Sequence, residues 1–244
     1  MDTVSPRVSN NSCGGEDMSC APGAYTLPQS ALIAGQPLPP VVASLSRAEL
    51  LRDLGTSSHE RRAALIVHLT ALELDLPAEQ ACSIAIASLL HDIGKIAVPI
   101  DLLQKSTPLT PEEDALIKTH CRRGHEILRS NVDPILALAS EIALHHHECC
   151  DGSGYPDGLS GDDIPLAVQV SSICDGYDAL RQDRPYRPGL SHENSMRILV
   201  EGDGRTLPQH FAPRVMAAFC RVSDKARVII DTYDVKDHIV GVMA

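Results

Sequence analysis

Ile84-Ala85-Ile86-Ala87-Ser88-Leu89-Leu90-His91-Asp92-Ile93-Gly94-Lys95 is the stretch on which the reading of this chain turns. Ile84 to Leu90 lacks the alternation of a half-exposed strand. With the Ala-containing run from Ala78 ahead of it, it reads as a buried helix. A His-Asp pair closes that helix, and Gly94-Lys95 follow at once. Neighbouring helical side chains point ~100° apart, so the pair can converge on one site only at a helix end or where the backbone adjusts. Gly94 makes that adjustment easy. An Asp in this position can bridge two cations through its two oxygens, whereas an imidazole binds one. Standing alone, the pair would be better explained as a buried ion pair or a helix-ending Asp.

It does not stand alone. His145-His146-His147-Glu148-Cys149-Cys150-Asp151-Gly152-Ser153-Gly154-Tyr155-Pro156 sets side-by-side imidazoles before a Gly-rich turn that cannot be helix. This is what metal ligands delivered beside a substrate-facing loop look like. His59, His120, His146-His147 and Asp175 all fall near the starts or ends of apolar helices. Each interval holds about one helix and its connection, so ligands spaced in this way can meet at the centre of a bundle.

The rest of the chain fits that architecture. Residues 1–43, rich in Ser, Gly, Pro and Asn, show no sustained period and read as an irregular or disordered lead-in. A helix is expected behind Ser46. A second runs from His59 to Leu74 with Ala63, Ile66, Val67, Thr70 and Leu74 on one face. Thr110-Pro111-Glu112-Glu113 is a capping box with Pro at the first helical position. Helices are also expected through Ile127-Leu128, over Pro134–His146, Pro165–Leu180, His192–Val200 and Pro213–Cys220. The tail, 226–244, is rich in Val and Ile and fits either a strand or extended chain. The expectation is an all-α protein: one helical domain over 44–225 with a metal cluster in its core.

Composition narrows the function. With 21 Lys and Arg against 32 Asp and Glu, the net charge of −11 argues against broad nucleic-acid or acidic-membrane binding. Trp is absent and aromatic residues are 3% of the chain, so the core must be Leu, Ile, Val and Ala. The eight cysteines form no Cys-x-x-Cys pair, which leaves no zinc-finger pattern and no disulfide framework. The N-terminus is not a secretory signal and no apolar run reaches ~18 residues. The expectation is a cytoplasmic protein.

His91-Asp92-Ile93-Gly94-Lys95, His146-His147-Glu148, Asp151-Gly152-Ser153-Gly154-Tyr155-Pro156 and Asp175-Gly176-Tyr177-Asp178-Ala179-Leu180 together resemble the HD-GYP family. Thr56-x-x-His59-x-x-Arg62, His120-x-x-x-Gly124 and Asp183-Arg184-Pro185-Tyr186-Arg187 resemble its remaining signatures. The likeness covers about Ser44 to Cys220, in order. It implies a bacterial second-messenger hydrolase: an all-α domain that hydrolyses cyclic di-GMP to pGpG, and onward to GMP in some cases, using a metal cluster.

The resemblance also implies roles. His59, His91, Asp92 and Asp175 would hold one metal, and Asp92, His120, His146 and His147 the other, with Asp92 bridging. Nitrogen and oxygen ligands without thiolate suit iron or manganese, although zinc, cobalt or nickel could enter. A water activated between the two would attack phosphorus in line with the 3′ oxygen. Lys95 would neutralise a nonbridging phosphate oxygen. Arg184 and Arg187 would hold the second phosphate or guanine. Tyr155 would either touch substrate or shape the loop, and Glu148 would support the ligands from behind. Some family members carry a Glu four residues before the first His to hold a third metal; Gly55 stands there, so two metals are expected. The alternatives are a cyclic di-GMP-binding or diguanylate-cyclase-docking module with little turnover, and a hydrolase of another cyclic dinucleotide. A homodimer is compatible with either.

Overall fold

The computed structural model describes residues 32–33, 36–52, 57–130, 132–183 and 188–232. A small antiparallel hairpin comes first, β1 (Leu32–Ile33) with β2 (Gln36–Pro37). Among the described residues, the elements after it are helices: α1 (Pro40–Arg52), α2 (Ser57–Glu73), α3 (Ala78–Ser88), α4 (Ile100–Leu103), α5 (Pro111–Lys118), α6 (His120–Leu128), α7 (Pro134–His145), α8 (Leu166–Arg181), α9 (His192–Glu201) and α10 (Pro213–Thr232). The fold is an all-α, HD-type bundle.

Helix α2 is its axis. It packs against α3, α8 and α10, while α3 leans on α7 and α7 on α6. The face expected from the sequence, Ala63, Ile66, Val67, Thr70 and Leu74, is buried, and so is the run from Ile84 to Leu90. Each fully buried Ile, Leu or Val contributes about 1.5–3 kcal/mol before entropy is counted, so this aliphatic interior can hold the bundle without Trp. The few buried aromatics include Tyr177 and Phe219, which meet edge to face with centroids 5.2 Å apart.

Local chemistry sets the helix starts. The Glu113 amide donates to Thr110 Oγ1 at 3.3 Å and the Thr110 amide to Glu113 Oε2 at 2.8 Å, the reciprocal pattern of a capping box. Asp133 accepts from the Ile135 and Leu136 amides ahead of α7. These caps fix the starts of the helix that precedes His120 and of the helix that leads into the paired histidines.

Several boundaries differ from the sequence reading. Helix α1 begins at Pro40, so Ser46 lies inside it rather than capping it; a proline is well tolerated in a first turn, where its missing N–H costs nothing. Helix α6 begins at His120 and runs through Gly124. The loop after Pro99 holds the one-turn α4. Helix α10 continues to Thr232, past the expected stop at Cys220 and into the tail. Residues 1–31 and 233–244 lie outside the described residues.

Candidate metal centre

Three breaks in helix bring the candidate ligands together. Helix α3 stops at Ser88, and the chain tightens into turns in which the His91 amide donates to the Ser88 carbonyl at 3.2 Å and the Ile93 amide to Leu90 at 3.2 Å. Asp92 then precedes a 3₁₀ segment, Ile93–Ala97. Helix α7 ends at His145 with His146 as its cap residue, and the rings of His146 and His147 converge there, with centroids 4.0 Å apart. His120 opens α6 directly after the junction with α5. Adjacent residues can share a site here because none of these pairs sits inside a regular helix.

The imidazoles fall into two groups around Asp92. In the first, His59 Nε2 is 3.0 Å from Asp175 Oδ1, and His91 Nε2 is 3.6 Å from that oxygen and 3.5 Å from Asp92 Oδ2. In the second, Asp92 Oδ1 is 3.4 Å from His120 Nε2 and 3.7 Å from His146 Nε2, and those two nitrogens are 3.4 Å apart. The ring of His147 lies 5.2 Å from that of His120. Asp92 therefore turns one oxygen to each group.

The residues fit divalent cations. His91 Nε2 and Asp92 Oδ1 are buried without a hydrogen-bond partner, an arrangement that costs about 1–3 kcal/mol for each group left unpaired. Ligand atoms of His59, His91 and Asp175, and those of His120, Cys121, His146 and His147, each lie within 4.8 Å of one another. The opposite ring nitrogens are tied down. His91 Nδ1 meets the Ser88 carbonyl at 2.9 Å, His120 Nδ1 that of Ile117 at 2.8 Å, and His146 Nδ1 that of Ala143 at 3.1 Å. Such bonds fix the tautomer that leaves Nε2 free for a metal.

Electrostatics sort the same groups. Burial pushes His59 down, but hydrogen bonds and charge from Asp175 and Asp178 outweigh it and raise His59 to about 10. His91 is likewise depressed by burial yet raised to about 9 by Asp92 and Asp175. Burial, then neighbouring imidazoles, hold His146 well below its ordinary value, and burial takes His147 to about 4. Asp92, which burial alone would raise, is held well below the carboxylate range by Lys95, His91, His120 and His146.

Seven of the expected site residues thus meet in one place: His59, His91, Asp92, His120, His146, His147 and Asp175. Lys95 Nζ pairs with Asp92 Oδ2. Tyr155 stacks on the His147 ring with centroids 4.8 Å apart, and Lys118 Nζ lies 5.0 Å from the Tyr155 ring centroid. Arg184, Arg187 and Gly55 lie outside the described residues. Glu148 faces the loop: Oε1 accepts from the Asp157 and Gly158 amides at 2.7 and 3.2 Å, and Oε2 from Leu159 at 3.0 Å.

Other contributors went unassigned in the sequence. Asp178 Oδ2 accepts from His59 Nδ1 at 2.6 Å, while Arg62 donates to Oδ1 at 2.7 Å and Oδ2 at 2.9 Å. The spacing of Asp178 one helical turn beyond Asp175, and of Arg62 one turn beyond His59, was the available signal. Glu49 and Glu60 are buried with unpartnered carboxylate oxygens.

The sequence matches the HD domain family over residues 46–207. It is 38% identical over 180 residues to the cyclic di-GMP phosphodiesterase response regulator RpfG of Xanthomonas campestris, covering 74% of this chain and 47% of that protein. It is 37% identical over 176 residues to the 3′3′-cGAMP-specific phosphodiesterase 2 of Vibrio cholerae, covering 72% of this chain and 33% of that protein. The chain thus spans less than half the length of either relative. The fold is similar to that of Bd1817, an HD-GYP-type protein from Bdellovibrio bacteriovorus, with TM-score 0.54, 17% identity, and coverage of 75% of this chain and 60% of that one. With the motifs, the ligand geometry and the family match in agreement, the chain belongs to the HD domain family, in its HD-GYP group.

Proposed function

We propose that this chain is a metal-dependent phosphodiesterase that opens cyclic di-GMP to linear pGpG, with a second cut to GMP open to the same centre. The observation that carries the reading is Asp92, whose two oxygens face separate imidazole groups. His59, His91 and Asp175 would hold one cation and His120, His146 and His147 the other, with Asp92 between them. When bound, such a pair supplies an activated water and charge neutralisation at the phosphate. Iron or manganese suits the nitrogen and oxygen donors, with zinc, cobalt and nickel as competitors.

The chain's own groups do the rest. Lys95, held beside Asp92, supplies positive charge for a nonbridging phosphate oxygen. Arg184 and Arg187 offer forked donors to the second phosphate or guanine. Tyr155, fixed on His147, presents its ring to substrate, and the Gly154-Tyr155-Pro156 turn is also the surface on which a diguanylate cyclase would dock. We place this activity in the bacterial cytoplasm, on the unit spanning 44–225; among the described residues no helix is long and apolar enough to cross a membrane.

A second reading, hydrolysis of 3′3′-cGAMP, is favoured by the V. cholerae relative named for that substrate. Chromatography of products from both dinucleotides, run on protein purified without oxygen and analysed for metals, separates the two. His91→Ala and Asp92→Ala are expected to abolish turnover; robust hydrolysis by both variants would sink the proposal.

A further inference from the structure

We infer that Cys121 is a thiolate ligand of the second cation, which makes that half of the centre a mixed sulfur and nitrogen site. Cys121 Sγ lies 3.5 Å from His120 Nε2. It falls within 4.8 Å of the ligand nitrogens of His120, His146 and His147. The residue is fully buried and its thiol is free. Asp92 Oδ1, buried and without a hydrogen-bond partner, lies 3.4 Å from His120 Nε2 and 3.7 Å from His146 Nε2, on the side of the group that faces the first cation. A soft sulfur donor therefore joins three imidazoles around one space.

The chemistry balances simply. The thiol proton leaves to water as the sulfur–metal bond forms, and no electron changes hands. Thiolate with imidazole selects iron(II), cobalt or zinc over manganese, whose preference is for oxygen donors. The first group, His59, His91 and Asp175, contains no sulfur. The inference rests on the two-cation reading above and adds to it a metal preference for one half of the centre.

The test is spectroscopic. The full chain, stripped of metal and reloaded with cobalt(II), is expected to show a sulfur-to-cobalt charge-transfer band. The zinc-loaded chain is expected to show a sulfur neighbour at ~2.3 Å by X-ray absorption fine structure. The band should vanish in Cys121→Ser and Cys121→Ala, with folding checked by circular dichroism. It should persist in Cys149→Ser, which disrupts the separate Cys149, Asp151 and His210 cluster. Cobalt held by the wild-type chain with neither band nor sulfur neighbour overturns the thiolate and leaves the two-cation reading standing. A band that survives in a folded Cys121 variant overturns it too, and failure to retain either metal overturns both readings. The wild-type spectra decide the matter even if the variants do not fold.

Discussion

Gly94 rests on the carbonyl of His120 with no room for a side chain between them. A Cβ at Gly94 would come 1.9 Å from that oxygen and 2.5 Å from the Gly124 amide nitrogen. Both are backbone atoms of α6, so neither can swing aside. This contact is what lets Asp92 reach His120. Gly94→Ala is expected to push the turn off α6, to cost at least the ~1–3 kcal/mol of an overpacked core, and to lower metal content. Urea unfolding with elemental analysis checks it; a stable variant with full metal content would contradict the account.

Asp178 never enters the cluster, yet it holds His59 in place through Nδ1 while pairing with Arg62. Asp178→Asn keeps the shape and removes the charge. Loss of such an outer partner is expected to weaken metal binding about 10- to 100-fold. Leaving the Arg62 guanidinium buried opposite a neutral amide should cost on the order of 3 kcal/mol. Calorimetric titration of metal-stripped protein gives the first quantity and chemical unfolding the second. Unchanged affinity would show that His59 is oriented by its surroundings alone.

Glu148 neighbours the ligand His147 but acts on the loop. Three consecutive amides, Asp157, Gly158 and Leu159, converge on its carboxylate. Glu148→Ala is expected to cost about 1–3 kcal/mol for these unpaired donors, to speed hydrogen exchange at those three amides, and to leave metal stoichiometry unchanged. Loss of metal with unaltered exchange would return Glu148 to a role behind the ligands.

The candidate ligands that the structure brings together were legible because their side chains are unusual at buried helix ends: an imidazole or carboxylate closing an apolar run has few other uses. Residues that act through a partner were not. Arg62 and Asp178 lie far apart in sequence, and only packing of α2 on α8 joins them. Glu148 reads in the sequence as support behind the ligands, because its loop partners are backbone amides, which no side-chain pattern reveals. Helix α10 was cut short because Val228-Ile229-Ile230 resembles strand; in the fold Val222 and Ala226 continue the buried face begun by Val215, Ala218 and Phe219. The start of α1 was missed because Pro39-Pro40 reads as a breaker, although proline fits a first turn.

Proton binding and metal binding should pull stability in opposite directions with pH. Burial lowers His59 and His91, but their carboxylate partners raise them to about 10 and about 9, against 6.5 for a free imidazole. A group raised in this way stabilises the fold fully below its unfolded pKa, and that contribution is lost as pH climbs through the folded value. Burial also lifts Glu60 from 4.5 to about 7, so the folded state binds the extra proton between those values and stability again falls as pH rises. Below about pH 6.5 the depressed His146 and His147 oppose Glu60, because the unfolded chain binds their protons and the folded one does not, so the metal-stripped protein is expected to weaken from about pH 7 to about pH 10. Cations compete for the same imidazole nitrogens, so their binding should tighten over that range. The gap in Tm between loaded and stripped protein should widen with pH above about 7, and Glu60→Gln should remove the decline that Glu60 contributes between about pH 4.5 and 7. Thermal unfolding of both forms across this range measures it. A stripped protein that gains stability toward alkaline pH would show that the carboxylates do not hold His59 and His91 protonated.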